Sequence, residues 1–481
     1  MRSTNHTVKP NSRVASAVLV ALGALTGAAT AHADAAPAAA DDSSLTFHGI
    51  TLYGTVDIGL QFDTHTAPLS DYFPGGTNEV IQKNSGASAT NVVGSNLSQS
   101  KIGVQGREEI AGDWAGVFKL ETFFNPWSGQ ISDGLKSLTQ NNGVALASQR
   151  VGIDTSIAGQ LFGGAAYAGL SHPIYGTLTF GRQNGVLADG IAKYDPMGAS
   201  QAFSVIGFSG TAAGAGDTED RRLDNSIKYD NHFGPVHVAA QYQFNGGGGG
   251  SQGTAVELGL GVETHGLSVD GYYVKKYDAI ATSALSACQL LGSAIVTTDC
   301  TSAGVANLGY APDKSLSATV SDNTAYSLQA SYKLEQVKLF AGYEHIAFDN
   351  PSTGLVAGNN TIGGYVLAYV NNDAYASEKT PTFYWAGAKY KITPQLELTG
   401  AYYGYKQNSY ATGADAGCSS ATVSSKCSGS LNAVSAVLDY RLTKRFDVYG
   451  GLMWSEVSGG LANGYLNTSN VDPTVGVRYT F

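Results

Sequence analysis

The chain has 481 residues, of which 43% are hydrophobic, 10% aromatic and only 14% charged, with 61 glycines, 27 tyrosines and a net charge of −10. Disordered chains are poor in aromatics and rich in charge, so this composition excludes global disorder, and an acidic balance argues against a nucleic-acid partner. After the first thirty-odd residues no apolar run approaches the roughly 18 residues that a membrane helix needs, which leaves a chain suited to many strands joined by turns.

The N-terminus reads as a targeting segment. Arg2, Lys9 and Arg13 supply positive charge, Val14 to Thr30 is apolar or small, and Ala31-His32-Ala33 fits the small-x-small pattern of a signal-peptidase site. The expected division is a leader over 1–33 and a single barrel domain over 34–481. Loss of three basic residues leaves 25 against 38 acidic ones, a mature net charge of −13.

From there the hydropathy alternates with period two. Leu52, Gly54, Val56, Ile58, Leu60 and Phe62 interleave with Tyr53, Thr55, Asp57, Gly59 and Gln61, one apolar face and one polar face. Comparable segments lie near 46–62, 98–110, 114–126, 161–170, 175–183, 222–232, 234–244, 254–264, 266–278, 322–334, 336–347, 380–391, 395–407, 431–442, 445–457 and 472–481. These sixteen candidates are mostly about the ~10 residues of a tilted membrane strand.

The connections alternate in length. Glu-Thr-His-Gly (263–266), Leu-Glu-Gln (334–336), Ile-Thr-Pro (392–394) and Leu-Thr-Lys-Arg (442–445) are short. The segments near 63–97, 127–160, 184–221, 279–321, 348–379, 408–430 and 458–471 are long, and 245–253 is intermediate and glycine-rich. Short turns on one side and long loops on the other mark an outer-membrane barrel. Lipid offers a backbone amide no partner, so a spanning sheet must close on itself. Sixteen strands enclose more space than side chains fill, which leaves a water channel. The expected fold is therefore all-β, a 16-stranded antiparallel transmembrane β-barrel with short periplasmic turns and long outer loops.

Tyrosine and tryptophan near strand ends, at Tyr272-Tyr273, Tyr402-Tyr403, Tyr384-Trp385, Trp454 and Tyr479, are candidates for interfacial girdles or for ordinary strand aromatics. The four cysteines form two local pairs, Cys288 with Cys300 and Cys418 with Cys427. In an oxidising compartment each pair closes a short loop; a zinc site needs tighter spacing. No cofactor is expected.

At this point the residues resemble the trimeric general porins of Gram-negative bacteria. The resemblance rests on Leu52-Tyr53-Gly54-Thr55-Val56-Asp57, Ser100-Lys101-Ile102-Gly103-Val104-Gln105-Gly106, Gly176-Thr177-Leu178-Thr179-Phe180-Gly181-Arg182-Gln183, Asp224-Asn225-Ser226-Ile227-Lys228-Tyr229 and the terminal Tyr479-Thr480-Phe481. It implies an outer-membrane location, a homotrimer surrounded by lipid and lipopolysaccharide, and passage of small hydrophilic solutes. It implies that the third long loop, 184–221, folds into the barrel and narrows it. It also implies that Phe481 is part of the signal read by the barrel assembly machinery.

The resemblance further implies a transverse field at the narrowing, with wall cations facing loop acids. Lys101 and Arg222 match wall cations, and Asp195 matches the loop acid. Asp189 is a weaker loop candidate, and Arg150 or Arg107 is the expected replacement for a wall arginine absent from Gly163-Gly164-Ala165-Ala166-Tyr167. Arg182 matches a residue near the loop root and subunit contact. Alternation places Lys101 and Arg107 opposite Ile102 and Val104, and places Arg222, Asp224, Ser226 and Lys228 opposite Leu223, Ile227 and Tyr229.

Enzymatic barrels need a fixed nucleophile–base pair or acid–base dyad. The chain has no HExxH. The expected function is passive diffusion, with a substrate-specific channel as the alternative.

Overall fold

The structure, a computed structural model, describes residues 45–73, 83–141, 144, 146–152, 156–157, 159–208, 221–246, 253–284, 316–351, 361–362, 365–366, 369–371 and 377–481. The leader expected over 1–33 and the pair Cys288 and Cys300 lie outside these residues.

The wall consists of β1 (Ile50–Thr66), β2 (Lys101–Ala111), β3 (Trp114–Asn125), β4 (Ala165–His172), β5 (Gly176–Asn184), β6 (Arg222–Phe233), β7 (Val236–Gln243), β8 (Ala255–Thr264), β9 (Leu267–Ala284), β10 (Leu316–Leu334), β11 (Val337–Asp349), β12 (Pro381–Lys391), β13 (Leu396–Gln407), β14 (Gly429–Arg441), β15 (Phe446–Gly459) and β16 (Thr474–Thr480). Each pairs antiparallel with the next, for example β2 with β3 and β14 with β15. The ring closes where β16 meets β1 over Thr55↔Thr480 to Gln61↔Thr474. The closed 16-stranded antiparallel barrel expected from the sequence is the observed fold.

The last residue completes the seam. Phe481 N–H donates to the Gly54 carbonyl and Gly54 N–H to the Phe481 carbonyl, both at 3.0 Å. A Cβ at Gly54 would stand 2.5 Å from the Phe481 ring, so only glycine lets the terminal aromatic lie against β1 here.

Burial is inverted relative to a soluble protein. Leu60, Phe180, Leu260, Leu328 and Tyr326 are 52–62% exposed, whereas Asp57, Gln61, Glu257, Asp270, Gln329 and Glu344 are at most 1% exposed. Apolar residues point outward and polar ones inward, as in a lipid-facing barrel with a wet interior. An outward apolar band of this extent has no place in bulk water.

Several boundaries shift. The segment Ala87–Gly94, expected within a loop, is a strand that pairs with β1 above β2. β9 and β10 run on together through Ala279↔Ser321 to Ala284↔Leu316 into what was expected to be loop. Neither Ala87–Gly94 nor Ala279–Ala284 keeps the strict apolar–polar alternation that marks a spanning strand. The fourth strand begins at Ala165 and not at 161. The aromatic pairs also divide. Tyr402 and Tyr479 face outward, at 38% and 42% exposure, while Tyr272, Trp385 and Tyr403 are buried inward.

Candidate functional site: a folded-in loop and a charged wall

The segment after β5 lies inside the barrel. Its helix, Val186–Tyr194, presents Val186, Leu187, Ile191 and Tyr194 as buried side chains. Gly190 brings this helix against β9, because a Cβ there would sit 2.4 Å from the Tyr272 ring. Trp385 Nε1 donates to the Tyr194 carbonyl at 3.1 Å, and Tyr194 shares a 2.6 Å hydrogen bond with Ser268 Oγ. The chain then crosses to the opposite wall, where Ser200 Oγ, Gln201 N–H and Ala202 N–H all donate to the Asn96 carbonyl. Met197, Phe203, Val205 and Ile206 join Val274, Phe348, Phe383, Trp385, Tyr403, Tyr449 and Met453 in one buried apolar cluster.

Asp195 ends the helix. It is 1% exposed. Its carboxylate accepts from Met197 N–H at 3.1 Å, from Ala199 N–H at 2.8 Å and from the Tyr403 hydroxyl. Burial pushes its carboxyl above the ordinary range, against the opposing hydrogen bonds from Tyr403 and the loop backbone. The residue matched to the pore-facing acid is thus directed into the loop's own turn.

Asp189 is the loop carboxylate that stays half exposed. It pairs with Lys228 on β6 and accepts from Asn184 Nδ2 at 2.9 Å. Enclosure pushes its carboxyl up, but Lys228 outweighs that and holds it below the usual range.

Across from the loop, Glu121 on β3 anchors a cluster. Lys101 Nζ and Lys119 Nζ lie 3.2 and 3.5 Å from its carboxylate, and Tyr53 donates to it at 3.0 Å. Arg222 sits over the Phe123 ring at 4.6 Å, donates to the Gly164 carbonyl at 3.1 Å and interacts electrostatically with Glu121 and Asp189. Lys101 and Arg222 therefore meet around one acid. Arg107 does not join them. Six residues down β2, roughly 20 Å of strand, it is half exposed and pairs with Glu109 at 3.0 Å.

Arg182 is buried. It donates to the Ser156 and Gly163 carbonyls and pairs with Asp224 at 2.6 Å, fixing the root of the loop to the segment before β4. The strict alternation assumed for β6 breaks here. Asn225 has φ +47°, and the β5–β6 register jumps from Gly181↔Ser226 to Gln183↔Leu223. This bulge encloses Leu223 and puts Arg222 out of phase with Ser226 and Lys228.

Sequence reasoning missed Glu121 as the hub, although its position two residues from Lys119 on the inward face of β3 was readable. It also missed Asp57, whose buried carboxylate accepts from Leu97 N–H and Ser98 N–H at 2.8 and 2.9 Å and from the Tyr449 hydroxyl. Cys418 and Cys427 form a disulfide.

An inward-polar, outward-apolar closed barrel with a loop packed across its interior defines an outer-membrane β-barrel of the channel type. Comparison with known proteins makes this specific. The profile of the Gram-negative porin family matches residues 15–460, and the chain belongs to that family. It is 25% identical over 193 residues to an outer membrane porin protein of Bordetella pertussis, a match covering 38% of this chain and 37% of that relative's length. Among solved structures it is similar to the anion-selective porin from Comamonas acidovorans, with TM-score 0.56, 16% identity and coverage of 90% and 99% of the two chains. It is also similar to the trimer form of OmpT from Vibrio cholerae, with TM-score 0.51, 13% identity and coverage of 90% and 99%. The protein is accordingly one of the Gram-negative outer membrane.

Proposed function

We propose that the chain is a general diffusion channel, passing small hydrophilic solutes and ions through a lane between the folded-in loop and the charged wall. The observation that carries this reading is the division of the interior. The loop is packed on apolar side chains from β9 to β15, whereas on the opposite wall Lys101, Lys119 and Arg222 stay partly exposed around the buried Glu121. Water is excluded from the first region and retained in the second.

In this reading the loop after β5 is the constriction, and Lys101, Arg222 and Glu121 with Asp189 set the field across it. Asp195 positions the loop, Arg182 holds its root, and Arg107 belongs to the periplasmic end of the wall. Residues 1–33 act as a cleaved leader, Phe481 takes part in recognition by the assembly machinery, and three chains associate within lipid and lipopolysaccharide. No step of this function is catalytic.

Liposome swelling tests the reading. Entry rates that fall smoothly with solute size, without saturation, are the expected result. Saturable uptake of one sugar or organic acid would replace the general channel by a substrate-specific one.

A further inference from the structure

We propose that Asp230, His232 and His237 form a binding site for a divalent transition-metal ion of the zinc class, on the barrel's inner wall near the periplasmic end. Asp230 and His232 are two apart on β6 and share a face, and His237 is the direct cross-strand partner of His232. One ligand atom from each lies within 4.8 Å of the others. The two imidazoles stack with centroids 4.7 Å apart and planes 20° from parallel. All three side chains stand on hydrogen-bonded strands closed by the short turn at 234–235, so little ordering is required to bring them to one ion.

Two imidazoles and a carboxylate are a donor set for zinc, nickel or copper; magnesium and calcium take oxygen ligands. His237 has the second-sphere arrangement that such sites use. Its Nε2 faces Asp230 Oδ2 at 2.9 Å, and its Nδ1, buried and without a hydrogen-bond partner, lies 3.6 Å from Asp270 Oδ1. With Nε2 on a metal, the ring proton sits on Nδ1 and points at that carboxylate, the geometry that fixes tautomer and orientation in metal-bound histidines. The surroundings favour a cation. Asp189, Asp230 and Glu263 line a cavity of about 350 Å³ with Lys193 and Lys228, and Asp270 adjoins it through Lys193. Four carboxylates thus stand against two ammonium groups.

Asp270 also accepts from Lys193 Nζ at 3.0 Å and from the Tyr194 hydroxyl at 2.7 Å, so the site touches the end of the loop helix. Metal binding is therefore expected to alter the channel as well as to occur. Binding itself does not depend on conduction, which separates this proposal from the functional reading above.

The test is isothermal titration calorimetry of the folded, tag-free protein with zinc chloride, and with magnesium chloride as the oxygen-seeking control. The expected result is one zinc per chain and no magnesium heat. Zinc binding should disappear in His232→Ala/His237→Ala and weaken about 10- to 100-fold in Asp270→Asn. Heat-dependent gel migration checks folding, and the half-exposed His232 allows His232→Gln to replace the double variant if that one does not fold. No zinc heat from the wild-type chain, or zinc binding that both histidine variants retain, would overturn the proposal.

Discussion

Along β1 to β6 the barrel interior carries Tyr53, Lys101, Lys119 and Arg222, partly exposed and gathered around the buried Glu121. Along β9 to β15 it carries Val274, Phe348, Phe383, Trp385, Tyr403 and Met453, buried beneath the loop. Both halves are built from the same alternating strands with the same outward apolar band. What differs is the inward set. A wall of apolar and aromatic residues gives a polar-backboned loop a surface to pack on, whereas a wall of ion pairs keeps its own water. In the proposed function this difference gives one barrel a fixed obstruction and an open lane side by side.

The strongest way to break this contrast is to remove the packing. Trp385→Ala deletes a buried indole and its hydrogen bond to the Tyr194 carbonyl, at a cost on the order of 3–5 kcal/mol. The loop should leave the wall, single-channel conductance should rise several-fold, and current noise should increase. An unchanged conductance would mean that the loop does not set the opening.

Charge on the open half comes next. Glu121→Gln leaves Lys101, Lys119 and Arg222 without their shared counter-charge. Reversal potentials in a salt gradient should move toward anions by a several-fold change in permeability ratio. Lys101→Gln should move them the other way, and a shift of the same sign in both would contradict the assignment. Asp189→Asn should move them toward anions as well, because it leaves Lys228 without its counter-charge.

A subtler effect concerns pH. Burial raises the Asp195 carboxyl in the folded chain, so the folded loop binds this proton more tightly than the unfolded chain does. That contribution is fully present below the ordinary carboxylate range and is lost as pH rises through the raised folded value. Loop seating, followed as protease resistance, should therefore be firmer in acid, and Asp195→Asn should flatten the dependence. Asp195→Asn should leave ion selectivity unchanged at neutral pH, since the carboxylate faces the loop's own amides. The smallest effect is expected from reducing Cys418–Cys427. The bond closes a span of only 9 residues, so its loss removes at most about 3 kcal/mol, local to an outer loop, and conductance should not change.

Much of this architecture was readable in the chain. Period-two hydropathy located the sixteen wall strands because lipid on one side and water on the other impose it on every spanning segment. The signal failed at Ala87–Gly94 and Ala279–Ala284, whose residues do not alternate strictly between apolar and polar. The site was less legible. Lys101 and Arg222 were named, and the structure brings both toward Glu121, but the local sequence around Asp195 says nothing of Tyr403, which is 208 positions away and captures its carboxylate. The inward turn of Trp385 and Tyr403 was equally hidden, because a girdle aromatic and a packing aromatic differ only by one step of register. Asn225 shows the same weakness. One residue in a left-handed conformation shifted the phase of β6, and alternation alone could not foresee it.

The most direct test of an open lane beside a packed loop is the current carried by purified protein in a planar lipid bilayer. The expected result is stepwise, ohmic single-channel conductance in simple salt, present without any added ligand. Insertion of folded barrels with no conductance above the bare membrane would contradict it.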